Sequence, residues 1–148
     1  MQSQSLDDEI ARGIQENFAS QALLIRLGAE LTHVALGCVK IEVPITEAVF
    51  NQHGFAHAGL AFTIGDTAGG YAAMSYCEAG ADVMTVEFKV NFLAPGVGQR
   101  LKAVGQVIRP GKRISVVASN IFVLNGDSET KIAVMQGTML PLINANLG

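Results

Sequence analysis

The segment His57–Tyr76 limits the possible folds of this chain most strongly. It is almost wholly apolar or small, and its single charged residue besides the flanking histidine is Asp66. Four of its residues are glycines: Gly59, Gly65, Gly69 and Gly70. A glycine in a helix interior costs about 1 kcal/mol relative to alanine, so this number of glycines predicts that another element packs very close to the helix backbone. We therefore expect a buried central helix with a sheet wrapped around it.

The residues that follow this segment alternate in the manner of β-strands. From Met84 to Phe92 every second side chain is apolar, a strict period of two that predicts one face in the core. Turn sequences rich in Gly and Pro then separate three further strands, which are Leu101–Arg109, Ile114–Leu124 and Lys131–Leu142. We expect these four strands to form an antiparallel meander.

The residues before His57 predict one helix and one hairpin. Apolar residues recur every four positions from Ile10 to Phe18, and Ser5 to Asp8 resembles a capping box with acids in the first turn. A Gly28 break ends this N-terminal helical segment, residues 1–28. The stretches Leu31–Val34 and Cys38–Ile45 then predict a hairpin. With no internal repeat, residues 1–148 are expected to form a single domain.

The chain is apolar for its length. Hydrophobic residues make up 49% of its 148 residues, charged residues only 16%, and the mean hydropathy is +0.34. A monomer with so few charges would expose sizeable apolar patches, which usually become subunit interfaces, so we expect a homodimer or homotetramer. The net charge of -3 and the lack of a dense Lys/Arg stripe argue against a nucleic-acid partner.

The cysteines, the histidines and the first residues predict a cytoplasmic protein without a metal centre. Cys38 and Cys77 lie far apart, and the three histidines are scattered, so neither a disulfide framework nor a zinc site is expected. The acidic stretch Asp7 to Glu9 does not resemble a signal peptide. A membrane-spanning interpretation of His57–Tyr76 is disfavoured, because a central Asp costs roughly 2.5 to 3.5 kcal/mol in a bilayer.

Asp66 is the most informative residue for function. An ionised carboxylate inside an apolar helix carries a large desolvation cost unless partners or chemistry compensate for it. One interpretation is structural: the carboxylate bridges parts of the fold and accepts hydrogen bonds from neighbouring backbone N–H groups. The other is catalytic, since perturbed carboxylates mark functional sites. The residue pattern alone favours neither.

Polar and flexible residues, from Asn51 to Gly59, precede the predicted helix. The first N–H groups of a helix lack intrahelical partners and can bind an oxyanion. If the helix begins near His57, Asp66 lies about two and a half turns further along. The helix start and the carboxylate of one chain are then apart, and a second copy of the chain could bring them together.

Three motifs follow one another along the chain: F-x8-L-G at residues 18–28, N-x5-H-A-G-x6-D-T-A from Asn51, and V-E-F-K-V-N-F-L-x-P-G from Val86. Together they resemble the hotdog thioesterases of the phenylacetic-acid-degradation (PaaI-like) type, from about residue 15 to residue 142. The resemblance implies an α+β hotdog fold, in which a curved antiparallel β-sheet wraps around a long central helix. It also implies dimers that join their sheets edge to edge, with active sites at the dimer interface.

The resemblance further implies an acyl-coenzyme A thioesterase that needs no cofactor beyond the coenzyme A of its substrate. By position, Asp66 matches the catalytic acid, acting as general base for water or as nucleophile on the thioester carbonyl. The N–H groups near Ala58 and Gly59 match the position that polarises the carbonyl. The family usually reads H-G-G, whereas this chain reads H-A-G, and a helical first turn accommodates the alanine.

Three more residues match pocket positions of the family. Asn51 and His57 correspond to polar residues that line the pocket, and Thr85 corresponds to a hydroxyl that can hold the water. Two of them have a structural alternative, since His57 could cap the helix and Thr85 could be an ordinary strand threonine.

One basic cluster, formed by Arg109, Lys112 and Arg113, flanks the predicted turn at Pro110-Gly111. It could hold the phosphates of coenzyme A through charge-assisted hydrogen bonds, or it could be a solvated hairpin tip.

Two alternative functions remain open, because a fold does not fix its chemistry. They are hydration or dehydration of acyl thioesters, and acyl-coenzyme A binding without catalysis.

Overall fold

The computed structural model describes residues 5–142. The predicted domain, residues 1–148, and the predicted helical segment, residues 1–28, extend into residues 1–4 and 143–148, which lie outside the described residues. The elements follow in this order: α1 (Asp8–Ser20), α2 (Ala22–Leu27), β1 (Glu30–Ala35), β2 (Cys38–Pro44), a short 3₁₀ helix (Glu47–Val49), α3 (Ala58–Met74), β3 (Asp82–Phe92), β4 (Arg100–Arg109), β5 (Ser115–Asn125) and β6 (Ser128–Leu142).

The N-terminal segment forms two helices that are separated at Gln21. Asp7 caps α1, because its Oδ1 accepts hydrogen bonds from the N–H groups of Glu9 at 2.8 Å and Ile10 at 3.4 Å. The predicted capping box at Ser5 is therefore replaced by a cap two residues later. Helix α2 ends at Leu27, and the Gly28 that follows has a left-handed φ of 70°, which favours glycine at this position.

The six strands form one antiparallel sheet in the order β1-β2-β4-β5-β6-β3. The predicted hairpin of β1 and β2 is confirmed, and β4, β5 and β6 form a meander. The predicted meander of four strands is wrong, because β3 pairs with β6 at the sheet edge while β2 and β5 flank β4. Residues 93–99 therefore cross the end of the sheet, held where the Ala56 N–H donates to the Gly96 carbonyl at 2.9 Å.

Helix α3 lies against one face of the curved sheet at very short range. A Cβ at Gly65 would overlap the Met135 Sδ, and one at Gly69 would come within 3.0 Å of the Phe88 ring. On the sheet side, a Cβ at Gly105 would overlap the backbone of α3 itself. The prediction of a glycine-lined helix wrapped by a sheet is thus confirmed at these positions.

Strand β3 contains an irregularity that changes which of its side chains face the helix. Its register with β6 shifts between Thr85 and Glu87, so Val86 forms a bulge, and a bulge changes the alternation of the residues around it. Phe88 consequently packs against the core, whereas Met84 and Val86 are exposed. The prediction that one apolar face runs along the whole strand is therefore wrong. Before the bulge, Thr85 faces the helix in place of Met84 and Val86.

Candidate active site

Asp66 lies on a stripe of α3 that the sheet leaves uncovered. The stripe runs along the helix through Ala58, Gly59, Phe62, Thr63 and Asp66, all of them exposed or half-buried. The Thr85 hydroxyl donates a hydrogen bond of 2.6 Å to Asp66 Oδ1. Asp66 is therefore half-buried rather than enclosed by the sheet, because β3 is the edge strand of the sheet.

The contact between Thr85 and Asp66 bears on the structural interpretation of the carboxylate. The structural interpretation required backbone N–H donors, but within residues 5–142 the side-chain partner of Asp66 is the Thr85 hydroxyl. That hydroxyl also lies 3.5 Å from the Met139 sulfur. The carboxylate keeps oxygen lone pairs open to the cleft, where they can accept a proton from water or attack a carbonyl carbon.

A small pocket of about 240 Å³ opens beside Asp66, between α1, α3 and β3. Most of the side chains that line it are polar. Its lining residues are Asn17, Gln21, Asp66, Thr67, Gly70, Tyr71, Asp82, Val83 and Thr85.

Tyr71 links this pocket to the N-terminal helices. Its hydroxyl donates to Asn17 Oδ1 at 2.7 Å and accepts from Gln21 Nε2 at 2.6 Å. Burial raises the pKa of Tyr71 to about 12, the hydrogen bond from Gln21 lowers it in part, and the Asp82 carboxylate adds a smaller rise. The hydroxyl therefore remains a donor at ordinary pH, and the two amides stay in fixed positions.

The N-terminus of α3 presents one free backbone donor. His57 caps the helix, since its Nδ1 accepts a hydrogen bond of 2.8 Å from the Gly59 N–H. The Leu60 N–H donates to the His57 carbonyl at 2.9 Å. Among the described residues the Ala58 N–H makes no hydrogen bond, and Ala58 is exposed. Of the two predicted oxyanion donors, Ala58 is thus available while the Gly59 N–H is occupied.

Asn51 shapes the loop that leads into the helix. Its Oδ1 accepts hydrogen bonds from the N–H groups of His53 at 2.9 Å and Phe55 at 3.1 Å. Asn51 and Ala58 line the same pocket of about 380 Å³, together with apolar residues such as Phe92 and Leu93. The structure therefore places Asn51 beside the helix start, while His57 and Asp66 are not among the residues that line this pocket.

Within one chain the predicted residues fall into separate groups. Ala58 and Asp66 are eight residues apart on one helix, which is about 12 Å along its axis. The basic cluster lies on the exposed tip between β4 and β5. Ser115 at the base of that tip pairs with Met139, which also pairs with Thr85. The tip thus begins two strand spacings, about 10 Å, from Thr85.

Three further features concern metal binding, membrane crossing and the two cysteines. Over residues 5–142, no cluster of three or more His, Cys, Asp or Glu side chains is arranged to hold a metal ion. No helix in this part of the chain has the length and apolar character needed to cross a membrane. Cys38 and Cys77 are both free thiols.

Sequence reasoning missed the residues that surround Asp66 on the side of the N-terminal helices. Asn17 and Gln21 carry no local signal, because their approach to Asp66 depends on how α1 packs against α3. A signal did exist at Tyr71, a hydroxyl within an otherwise apolar helix, since a buried tyrosine usually requires a hydrogen-bond partner.

Comparisons with known proteins identify the family and the fold of this chain. The sequence profile of the thioesterase superfamily matches residues 53–130, more than half of the chain. The acyl-coenzyme A thioesterase PaaI of Escherichia coli is 28% identical over 121 residues, covering 81% of this chain and 82% of PaaI. Its solved structure has a TM-score of 0.82 and covers 95% of this chain and 98% of that one, at 25% identity.

Two further solved structures are similar. A thioesterase family protein from Silicibacter pomeroyi has a TM-score of 0.89 at 38% identity, covering 91% of this chain and 99% of that one. A Bacillus halodurans protein solved with CoA has a TM-score of 0.75 at 25% identity, covering 90% and 86%. The profile match and the shared hotdog fold show that the chain belongs to the thioesterase superfamily, as a PaaI-like thioester hydrolase.

Proposed function

We propose that this protein hydrolyses acyl-coenzyme A thioesters at a site centred on Asp66. The observation that carries the proposal is the Asp66 carboxylate, held by the Thr85 hydroxyl at 2.6 Å on the open stripe of α3. Acting as general base, the carboxylate takes a proton from water while the water oxygen attacks the thioester carbon. Acting as nucleophile, it attacks that carbon itself, and water then hydrolyses the anhydride. In both routes the C–S bond breaks and coenzyme A leaves as the thiol.

The oxyanion that forms in this reaction needs a donor that α3 can supply. The Ala58 N–H is free at the helix N-terminus, where the helix dipole also favours negative charge. Asn51 and His57 surround this donor, and we assign them to the wall and shape of the pocket. His57 positions the first turn through its hydrogen bond with the Gly59 N–H at 2.8 Å.

Two copies of the chain are required to bring Ala58 and Asp66 together. On the open stripe of α3 Phe62 is exposed by 39%, and on the adjoining edge strand β3 Met84 and Val86 are exposed by 46% and 58%. Strand β3 is a sheet edge, whose unpaired backbone groups can pair with another strand. We propose that a second copy joins along β3 and places its Ala58 near the first copy's Asp66. The number of subunits and the cytoplasmic location stay predictions.

The relatives support coenzyme A as the leaving group. Escherichia coli PaaI is an acyl-coenzyme A thioesterase, and the Bacillus halodurans protein was solved with CoA. In this chain Arg109, Lys112 and Arg113 supply three exposed cations near the end of β4. We propose that they bind the phosphates of coenzyme A, because the tip begins within reach of Thr85.

The test is a substitution of the proposed catalytic group. Asp66→Asn removes the charge and the basicity at nearly constant shape, and we expect kcat to fall by about 10²–10⁴-fold. Thiol release from acetyl-, butyryl-, octanoyl- and phenylacetyl-CoA measures the rate and also defines which acyl groups react. Asp127→Asn is the matched control, because Asp127 is an exposed acid in the turn between β5 and β6 and should keep wild-type activity.

Two outcomes would contradict the proposal. Unchanged thiol release by Asp66→Asn would remove this carboxylate from the mechanism. Hydration of an enoyl-CoA by the wild-type protein, with no thiol release from any acyl-CoA of the panel, would assign the site to hydratase chemistry instead.

A further inference from the structure

The pocket beside Asp66 has an unusual lining for a site that accepts acyl groups. Ligand pockets are lined mainly by apolar side chains with a few polar groups. Here two amides, two hydroxyl-bearing threonines, a tyrosine and two carboxylates form the wall, and Val83 is the only aliphatic side chain among the lining residues. An alkyl chain placed in this pocket would separate these polar groups from water without replacing their hydrogen bonds.

The size of the pocket favours one part of a thioester over the other. Its volume is about 240 Å³, below the roughly 300–1,000 Å³ of pockets that hold drug-sized ligands. The coenzyme A portion is several times too large for this space. With the thioester carbon at Asp66, the part that fits is therefore a short acyl group, extending from Asp66 toward α1.

Two amide groups face this pocket in defined orientations. Tyr71 binds the Asn17 oxygen at 2.7 Å and the Gln21 nitrogen at 2.6 Å. The Asn17 NH₂ group and the Gln21 oxygen make no hydrogen bond to the described residues. One donor and one acceptor are thus left at the same pocket, and a hydroxyl group is the simplest partner that both accepts from the first and donates to the second.

The charges around the pocket restrict the acyl group further. Asp66 and Asp82 are both acids, and no Lys or Arg is among the lining residues. Like charges at close range repel each other, more strongly where water is partly excluded. An acyl group that ends in a carboxylate would meet this repulsion, whereas a neutral hydroxyl would not.

We propose that the acyl group this enzyme selects is short and neutral and carries a hydroxyl group, which Asn17 and Gln21 bind. The inference rests on the proposed acyl-coenzyme A hydrolysis at Asp66 and adds the substrate class. Asn17 and Gln21 determine specificity, while Tyr71 is a positioning residue that keeps their amides in place.

The experiment compares acyl groups of equal length on the full-length protein. We expect kcat/KM for 3-hydroxybutyryl-CoA or 4-hydroxybutyryl-CoA to exceed that for butyryl-CoA by at least about tenfold, the discrimination expected when a site built to bind a hydroxyl loses it. Succinyl-CoA, in which a carboxylate replaces the terminal CH₂OH group of 4-hydroxybutyryl-CoA, should be the poorest substrate of the four.

The double variant Asn17→Leu/Gln21→Leu tests whether these two residues cause the preference. The ratio of kcat/KM between the hydroxylated and the plain acyl group should fall by about tenfold or more, since apolar side chains cannot bind the hydroxyl. Because both rates come from one preparation, the ratio does not depend on the folded fraction. Gln15→Leu, at an exposed position of the same helix, is the matched control and should keep the wild-type ratio.

The outcomes separate this inference from the proposed function. If butyryl-CoA is hydrolysed in an Asp66-dependent manner but neither hydroxylated substrate is preferred, the specificity inference alone is overturned. A preference that survives in the double variant overturns the role of Asn17 and Gln21. If none of the acyl-CoA substrates releases thiol, the proposed function fails and the inference fails with it.

Discussion

The two sides of α3 obey different constraints, although they belong to the same helix. The side against the sheet has glycines where the sheet approaches most closely, as at Gly65 and Gly69. The open side carries a free N–H at Ala58 and a carboxylate at Asp66 that a single chain leaves available. Packing within one chain explains the side against the sheet. On the open side, only a ligand or a second copy can provide partners for the Ala58 N–H and the Asp66 carboxylate. The helix therefore serves as the core of the fold on one side and, in the proposed function, as a reaction surface on the other.

After Asp66→Asn, the largest effect on the open side should follow from removing the Ala58 N–H. Ala58→Pro does this at the first position of a helix, where proline is favoured, and His57 has the extended ψ of 141° that suits a residue before proline. We expect kcat for acyl-CoA hydrolysis to fall by about 10²–10³-fold, as for the loss of one oxyanion donor. Steady-state thiol release measures this effect, with Ala58→Gly as the control that retains the N–H.

A mixture of two inactive variants can show whether the open sides of two copies form one site. In a dimer of one Asp66→Asn and one Ala58→Pro chain, one of the two sites contains both intact groups. Random pairing should restore about a quarter of the wild-type activity, because the two sites of a twofold dimer are equivalent. No recovery in dimers shown to be mixed would place both groups in the site of a single chain.

On the side against the sheet, Gly105→Ala should have the next largest effect. The new Cβ would overlap the Ala68 carbonyl group and come within 2.6 Å of the Gly69 nitrogen. Because these are backbone atoms, the overlap cannot be relieved by a change of rotamer. We expect the free energy of unfolding to fall by about 3 kcal/mol, as for severe overpacking, measured by chemical denaturation.

The control for Gly105→Ala is a glycine that packs against nothing. A Cβ at Gly13 in α1 would have no atom within 4 Å. Gly13→Ala should therefore stabilise the protein by up to about 1 kcal/mol through helix propensity. If both substitutions changed the stability by the same amount, close packing of α3 on the sheet would not explain the glycines.

Local sequence patterns predicted the elements on the packed side of this comparison well. The glycine-rich run at His57–Tyr76 predicted α3 nearly to its ends. The turn residues Asn125-Gly126-Asp127 predicted the hairpin of β5 and β6. These features depend on neighbouring residues, such as the left-handed φ of 58° at Gly126. Periodicity and turn chemistry depend only on residues that are close in sequence, so they predict helices, strands and turns without coordinates.

The open side could be predicted only in part, because it depends on contacts between distant residues. Asp66 was identifiable as the lone acid of an apolar helix. The bulge at Val86, which brings Thr85 to the helix side, has no glycine or proline to mark it. The pairing of β3 with β6 instead of β4, and the approach of Asn17 to Asp66, are likewise set by tertiary packing, which local patterns do not encode.

The smallest of the effects on activity should come from Thr85, which connects the two regions through strand β3. Thr85→Val removes the hydroxyl that donates to Asp66 at 2.6 Å while it keeps the shape of the side chain. We expect kcat to fall about tenfold, equivalent to about 1.4 kcal/mol, because a hydrogen bond to a charged group contributes roughly 1.5–3 kcal/mol. Thr85→Ser keeps the hydroxyl and should restore most of the rate in the thiol-release assay. If valine and serine gave equal rates, the contact of Thr85 with Asp66 would be structural, and Asp66 would be held in its reactive position by α3 alone.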